Sequence, residues 1–93
     1  MSDRSLWLTI PMEIVVDERL NNAQMILYGI IFSSRDESPY CTLKNRDFSR
    51  IMNTSESSIL RHLDALERCG HIERQVIRRE TTNEVIERRI YLL

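Results

Sequence analysis

The stretch "NTSESSILRHLDALERCGHI" (residues 53–72) contains one complete helix together with the signals that start and stop it. Ser55 belongs to the residue types preferred at an N-cap. Gly70 stands just past the last turn, where a left-handed C-cap residue is expected. Between them, apolar side chains recur at spacings of three and four residues, which is typical of an amphipathic helix. We expect the following residues on its buried face: Ile59, Leu60, Leu63 and Leu66.

Two further helices are predicted before this stretch. Asn21 and Gln24 have the spacing of a capping box, so a helix should begin after Asn21. Gly29 in its middle costs about 1 kcal/mol relative to Ala, which indicates close backbone packing. The segment "NRDFSRIMN" (45–53) predicts a two-turn helix followed by a tight turn at Asn53. The predicted inward positions of the two helices are Ala23, Ile26, Leu27, Ile30 and Ile31, then Phe48, Ile51 and Met52.

The C-terminal segments change to the composition of β-strands. "HIERQVIRR" (71–79) and "EVIERRIYLL" (84–93) are rich in Val, Ile and Arg, and the polar "ETTN" between them predicts a β-hairpin. Because this turn lacks Gly, Asn83 should take the positive φ. "MEIVVDERL" (12–20) predicts one helical turn and "YCT" (40–42) a very short strand. The order indicates an α+β winged helix-turn-helix, a three-helix core with a C-terminal β-hairpin wing, over residues 6–93, with residues 1–5 disordered.

Composition excludes several classes of protein. At 93 residues and 42% hydrophobic content, the chain makes a single small domain. We expect it in the cytoplasm, because no apolar run reaches the length of a membrane span and no leader is present. Cys41, Cys69, His62 and His71 lack the spacing of a disulfide framework, metal site or catalytic group. We therefore predict no metal, cofactor, small-molecule substrate or enzymatic activity.

Charge is unevenly distributed along a chain whose net charge is −1. Residues 1–43 hold three basic against six acidic groups, whereas residues 44–93 hold ten against eight. All basic residues except Lys44 are arginines, whose planar guanidinium suits phosphates and guanine edges. The C-terminal half is therefore the candidate nucleic-acid-binding half, although DNA-binding domains are often far more basic.

Four segments together resemble a known family. "IPMEIVVDERLNNAQMILYGII", "YCTLKNRDFSRIMN", "SESSILRHLDALERCGHI" and the terminal "ERRIYLL" are similar to the winged-helix domains of plasmid and phage replication initiators, and to related small plasmid or phage regulators. The resemblance covers nearly the whole chain. It implies sequence-specific binding of double-stranded DNA, either at a replication origin or in transcription control. The family's contact residues carry over to Ser58, Arg61, His62 and the hairpin arginines. The chain departs from the family at Glu56 and Ser57, where relatives place Lys or Arg.

Each candidate contact has an alternative. Glu56 either accepts a hydrogen bond from cytosine N4 or only complements the positive end of the helix dipole. Arg61 either reads a base or pairs with Asp64 or Glu67. Arg78 and Arg79 either touch the DNA backbone or minor groove, or pair with the wing acids Glu80, Glu84 and Glu87, whereas structural pairing is favoured for Arg88 and Arg89. The candidate DNA-binding residues are Arg46, Arg50, Ser55, Glu56, Ser57, Ser58, Arg61, His62, Arg78 and Arg79.

The distribution of apolar and charged residues also predicts the partners of the chain. We expect a homodimer, because the N-terminal region is unusually apolar. Its possible interface consists of Leu6, Trp7, Leu8, Met25, Tyr28 and Phe32, and the alternative is that these residues complete the core of a monomer. The acidic N-terminal half and the weak net charge also leave open a winged helix that binds a protein and has little DNA affinity.

Overall fold

The computed structural model describes residues 8–35 and 37–93. The predicted disordered N-terminus and two of the predicted interface residues, Leu6 and Trp7, lie outside these residues. The elements in chain order are α1 (Met12–Val15), α2 (Asn22–Ser33), β1 (Tyr40–Cys41), α3 (Asn45–Met52), α4 (Glu56–Arg68), β2 (Ile72–Arg78) and β3 (Val85–Leu92). This order confirms the α+β winged helix-turn-helix. No helix in the described part of the chain is long and apolar enough to cross a membrane.

Helix α2 begins with the predicted capping box. The Gln24 backbone N–H donates to Asn21 Oδ1 (2.9 Å), and the Asn21 N–H donates to Gln24 Oε1 (3.0 Å). The prediction that Ile26 faces the core is wrong, since its side chain is 42% exposed. Tyr28 occupies the core instead, 4% exposed and edge-on to His71 at 6.3 Å between ring centroids. The middle of α2, from Leu27 to Ile31, is therefore buried on nearly all sides, and Ile26 lies just before this run.

Gly29 confirms the expected close approach. A Cβ atom at this position would lie 2.9 Å from Leu8 Cγ and 3.0 Å from Ile10 Cγ1. The extended segment before α1 thus crosses α2 at its one residue without a side chain, and a larger residue would force the two segments apart.

The helix-turn-helix is formed by α3 and α4. Asn53 ends α3 in the left-handed conformation (φ 54°), and the Thr54 N–H donates to the Ser49 carbonyl at 3.0 Å. Phe48 is fully buried as predicted, but Ile51 is 57% exposed. An eight-residue helix buries only a narrow arc, and the arc through Phe48 and the partly buried Met52 leaves Ile51 outside it.

Helix α4 has both predicted ends. The Ser58 N–H donates to Ser55 Oγ (3.1 Å), and Gly70 takes φ 83°. The residues of α4 that the structure buries are Ile59, Leu63, Ala65 and Leu66. Leu60 was predicted among them and is 46% exposed. Leu60 lies past the edge of that arc because consecutive residues of a helix are separated by about 100°.

The wing belongs to a three-stranded antiparallel sheet of order β1-β3-β2. Cys41 and Arg74 lie on either side of Ile90, so the predicted short strand β1 pairs with β3. A register shift between Ile77 and Arg78 precedes the turn, and Asn83 has the predicted positive φ (59°). The hairpin therefore extends from the core toward a free tip.

Asp17 connects the N-terminal segment to the far end of α4. Its Oδ2 lies 2.6 Å from His71 Nε2 and 2.8 Å from Arg19 Nη2, and Arg19 also reaches the Cys69 carbonyl. Hydrogen bonds from Arg19 and then from His71 hold the pKa of Asp17 well below its ordinary value. The connection fixes α1 and α2 relative to the α4–β2 turn.

Candidate nucleic-acid interface

The first two turns of α4 present an outward face. Glu56, Ser57, Leu60 and Arg61 are all exposed there. The hydroxyl of the cap residue Ser55 lies 3.1 Å from that of Ser57. A recognition helix needs such hydrogen-bonding side chains at its N-terminal end, where it can reach base edges in a major groove.

Ser58 and Arg61 form one unit on this helix. The Ser58 hydroxyl lies 3.0 Å from Ser55 Oγ and accepts a hydrogen bond from Arg61 Nη2 at 2.9 Å. This hydrogen bond orients the guanidinium group. Because arginine has five N–H donors, the remaining donors are available to a ligand.

The alternative pairing of Arg61 with Asp64 or Glu67 is not what the structure shows. Arg74, on β2, donates from Nη2 to Asp64 Oδ1 (2.7 Å) and from Nε to Glu67 Oε1 (2.6 Å). Burial alone would lower the pKa of Arg74, but these two hydrogen bonds raise it. Within the described residues, Arg61 consequently has no carboxylate at ion-pair distance.

Glu56 is the first residue of α4 and the only acidic residue in its first turn. A carboxylate at this position stabilises the helix through its dipole by about 0.3–1 kcal/mol. The side chain is also exposed on the same end of the helix as Ser57. The placement therefore fits both interpretations, helix stabilisation and contact with a base.

His62 differs from the other candidates because it faces α2. Its Nδ1 lies 3.3 Å from Gln24 Nε2. Since the capping box occupies Gln24 Oε1, the Gln24 amide must donate to Nδ1, which leaves the proton of a neutral ring on Nε2. Burial and then the charge of Arg61 lower the pKa of His62. His62 is thus a neutral link between two helices, and only its Nε2 is left for the predicted DNA contact.

Helix α3 contributes two exposed arginines, Arg46 and Arg50. Its own acidic residue, Asp47, accepts instead from the Lys44 backbone N–H at 2.8 Å. Among the described residues, neither arginine forms an ion pair, so both positive charges face solvent, as their predicted DNA contact requires.

The wing tip carries the next two candidates. Arg78 Nη1 donates to the Asn83 carbonyl at 3.2 Å. Arg79 Nε is 3.7 Å from Glu84 Oε1, and both side chains are more than half exposed. An exposed pair of this length contributes little. Both guanidinium groups therefore remain accessible to a ligand.

The lower wing arginines are used within the fold, as predicted. Arg88 donates to Asn45 Oδ1 (2.5 Å) and the Leu43 carbonyl (2.6 Å), and burial lowers its pKa. Arg89 donates to Glu87 Oε2 (2.6 Å) and lies over the Tyr40 ring at 4.5 Å. Arg88 thus fixes the wing to the start of α3.

Sequence reasoning missed two residues of this surface, Arg74 and Leu60. The position of Arg74 opposite the acids of α4 depends on how β2 docks on that helix, for which the sequence contains no local signal. Leu60 was predicted to be buried because it fits the same helical spacing as Ile59 and Leu63.

A family model described as a helix-turn-helix domain matches residues 18–72, which run from before α2 to the first residue of β2. The chain belongs to this family of helix-turn-helix domains. The helix-turn-helix domain is also similar to a solved "N-Terminal domain of DNA binding protein" (TM-score 0.67) and to a "Structure of Rep-DNA complex" (TM-score 0.65). Each is 20% identical to it, and each alignment covers 97% of this chain and 76% of the other. At that identity the likeness shows the fold. A search of curated proteins returned no match.

Proposed function

We propose that this helix-turn-helix domain binds double-stranded DNA sequence-specifically, with α4 in the major groove. The observation that carries the proposal is that none of the exposed arginines on α3 and α4 has a carboxylate partner among the described residues; these are Arg46, Arg50, Arg61 and Arg68. A protein of net charge −1 that leaves these cations unpaired on one motif presents a local positive surface, which suits a polyanion.

In this proposal the outer face of α4 reads bases. The Arg61 guanidinium, oriented by Ser58, donates to guanine O6 and N7, and Ser57 offers a hydroxyl to a neighbouring base. Glu56 accepts from cytosine N4 or, without touching a base, disfavours incorrect sites by repelling phosphates.

The phosphate contacts come from two other places. Arg46 and Arg50 on α3 neutralise the backbone beside the major groove. Arg78 and Arg79 at the wing tip do so further along the duplex. Contacts of this kind fix the register of a protein on DNA without reading its sequence.

The biological role that we propose is origin binding in a plasmid or phage replication initiator, or transcription control by a small regulator. The support for the first is the sequence resemblance to initiators and the likeness in fold to a Rep–DNA complex. Selection from a random duplex library, followed by a search for the selected site in the source replicon, tests both. Repeated sites at an origin support the initiator, and a site overlapping a promoter supports the regulator.

A salt titration tests the DNA-binding proposal directly. Four phosphate contacts should give a slope of log affinity against log salt of about −3.6, since each contributes roughly 0.9. Replacing both Arg78 and Arg79 with Ala should reduce that slope by about 2 and weaken specific and random DNA alike. The control is the double Ala variant of Thr81 and Thr82 in the same turn, which should keep the parent slope.

The result that would defeat this proposal is binding to duplex DNA that is undetectable at low salt. The winged-helix protein-interaction module would then be the better explanation. An unchanged slope in the Arg78 and Arg79 variant would instead restrict the phosphate contacts to the helices.

We also propose that two copies act together on DNA, because a single small domain provides modest electrostatic attraction. The N-terminal segment exposes Met12 (72%), Val16 (62%) and Leu8 (43%). On α2, the side chains of Met25 and Phe32 are half-buried. Tyr28 is removed from the predicted interface because it belongs to the core.

Light scattering over a concentration series tests the dimer. Replacing both Met12 and Val16 with Ser should give a monomer, whereas Ser at Ile51 of α3, which is also more than half exposed, should leave the dimer intact. A parent protein of monomer mass at high micromolar concentration, alone and with a two-site duplex, would overturn this proposal.

A further inference from the structure

Leu60 is the one large apolar side chain on the outer face of the first two turns of α4. It is 46% exposed, whereas Ile59 and Leu63 beside it are fully buried. Full burial of a leucine side chain contributes roughly 1.5–3 kcal/mol to folding stability, and a half-exposed leucine loses part of that contribution. A single exposed leucine is ordinary on a protein surface. Leu60 is unusual because it lies on the outer face of α4, beside the residues proposed to contact bases.

The angular position of Leu60 places it within the base-reading set. At about 100° per residue, Ser57 lies between Leu60 and Arg61 on the helical wheel, and Glu56 lies one turn before Leu60 on the same side. The face therefore presents a carboxylate, a hydroxyl, an apolar side chain and a guanidinium as neighbours. Three of the four are groups that hydrogen-bond to base edges.

The surroundings of this face fit DNA better than an apolar protein surface. The same helix-turn-helix carries several exposed arginines that have no carboxylate partner among the described residues, including Arg46, Arg50 and Arg61. The other exposed apolar residue of this motif, Ile51, projects from α3 and not from the face of α4. Leu60 is thus a lone apolar group among polar and charged ones.

We infer that Leu60 contacts the C5 methyl group of a pyrimidine in the major groove, thymine in unmodified DNA, and so selects that base at one position of the site. This methyl is the only apolar group that a base pair displays in the major groove. The inference rests on the proposed DNA-binding function and adds the chemical group that one residue recognises.

Substitution of the DNA isolates the contact. After a site has been selected for the parent protein, each thymine is replaced in turn by uracil, which removes only the methyl group. One replacement should weaken parent binding about fourfold, the equivalent of one buried methyl. The Leu60→Ala variant should bind the thymine site less tightly than the parent and should not distinguish thymine from uracil.

Two controls make the result specific. Ile51→Ala removes an apolar side chain that is even more exposed (57%) and should retain the fourfold preference for thymine. At the sensitive position, 5-methylcytosine should bind the parent better than cytosine does, and this difference too should vanish in Leu60→Ala. Because position 60 is exposed and Ala favours helix, the variant should remain folded, which circular dichroism verifies.

The inference fails if no thymine-to-uracil replacement affects the parent, if the selected site has no thymine opposite α4, or if Leu60→Ala keeps the preference. These outcomes leave the proposed function intact, since the parent still selects a sequence. If no sequence is enriched, the proposed function fails and this inference fails with it.

Discussion

The exposed arginines of the helix-turn-helix and the half-buried arginines of the sheet are in opposite electrostatic situations. Arg46, Arg50 and Arg61 are exposed, and none has a carboxylate partner in the described part of the chain. In the sheet, Arg74 donates hydrogen bonds to two carboxylates, and Arg88 donates to a backbone carbonyl and to a side-chain amide oxygen. The same residue type therefore serves structure in one region and remains available to a ligand in the other.

Because of this difference, a net charge of −1 is compatible with the proposed binding to a polyanion. Net charge counts every ionised group, whereas a ligand meets only the charges that are left unpaired on one surface. Arg74 connects the two regions, because it belongs to the sheet but neutralises Asp64 and Glu67 of α4. Each of the following experiments is a test of this division.

Arg88→Met should give the largest effect of these variants, and the effect should be on the stability of the fold. The variant keeps the apolar stem but loses two charge-assisted hydrogen bonds, so the free energy of unfolding should fall by about 3 kcal/mol. Urea denaturation provides the measurement. Arg46→Met, which removes an exposed unpaired cation, should change stability by less than about 0.5 kcal/mol. Equal losses in the two variants would abolish the distinction between the regions.

Arg61→Ala should show the complementary behaviour. We expect it to lose about 1–3 kcal/mol of specific binding and to relax one base position, with no change in the urea midpoint. Arg68→Ala removes the same charge from the last turn of the same helix and should keep the base preference. If both variants select the parent's site, Arg61 is not a base reader.

Arg74→Ala tests the residue that joins the two regions. Without it, Asp64 and Glu67 carry unneutralised charge on the recognition helix, and Asp64 becomes able to pair with Arg61. DNA affinity should fall by about 1 kcal/mol at low salt, and less at high salt because the effect is screened. Adding Asp64→Asn and Glu67→Gln to this variant should restore affinity. Failure of that rescue would show that Arg74 serves only the packing of β2 on α4.

His62→Ala should give the smallest effect on DNA binding. Loss of the contact with Gln24 should cost about 0.5–1.5 kcal/mol of stability and leave the selected DNA sequence unchanged. The lowered pKa of His62 keeps the folded ring neutral, so the unfolded chain takes up a proton more readily. Stability should therefore fall as the pH drops below the ordinary value of 6.5, and less steeply in the variant. A changed base preference in this variant would place His62 among the DNA contacts.

Much of the fold was predictable because its signals are local. The capping box of Asn21 and Gln24, the Ser55 cap and the left-handed Gly70 each involve residues within four positions of one another. The hairpin and its positive-φ Asn83 follow from the same kind of short-range signal. The candidate site was predictable to the extent that it lies on the first turns of α4.

The errors in the predicted core have a shared cause. Ile26, Ile51 and Leu60 each match a helical spacing, but Ile51 and Leu60 lie at the margin of the buried arc and Ile26 lies just before the buried run of α2. Periodicity identifies the side of a helix that is apolar. How wide an arc is covered depends on which neighbouring element packs there, and the sequence of one helix does not contain that information.

By itself, the sequence determined the order of the helices and strands and the position of those ends that carry a cap or a turn, since these signals act over a few residues. It also determined that the cations of the C-terminal half are almost all arginines. Only the tertiary structure decided which of these arginines are paired. The packing of β2 on α4 brings Arg74 to Asp64 and Glu67, and the packing of β3 beside α3 brings Arg88 to Leu43 and Asn45. An ion pair needs a separation below about 4 Å, and residues far apart in the chain meet at that distance only through the fold.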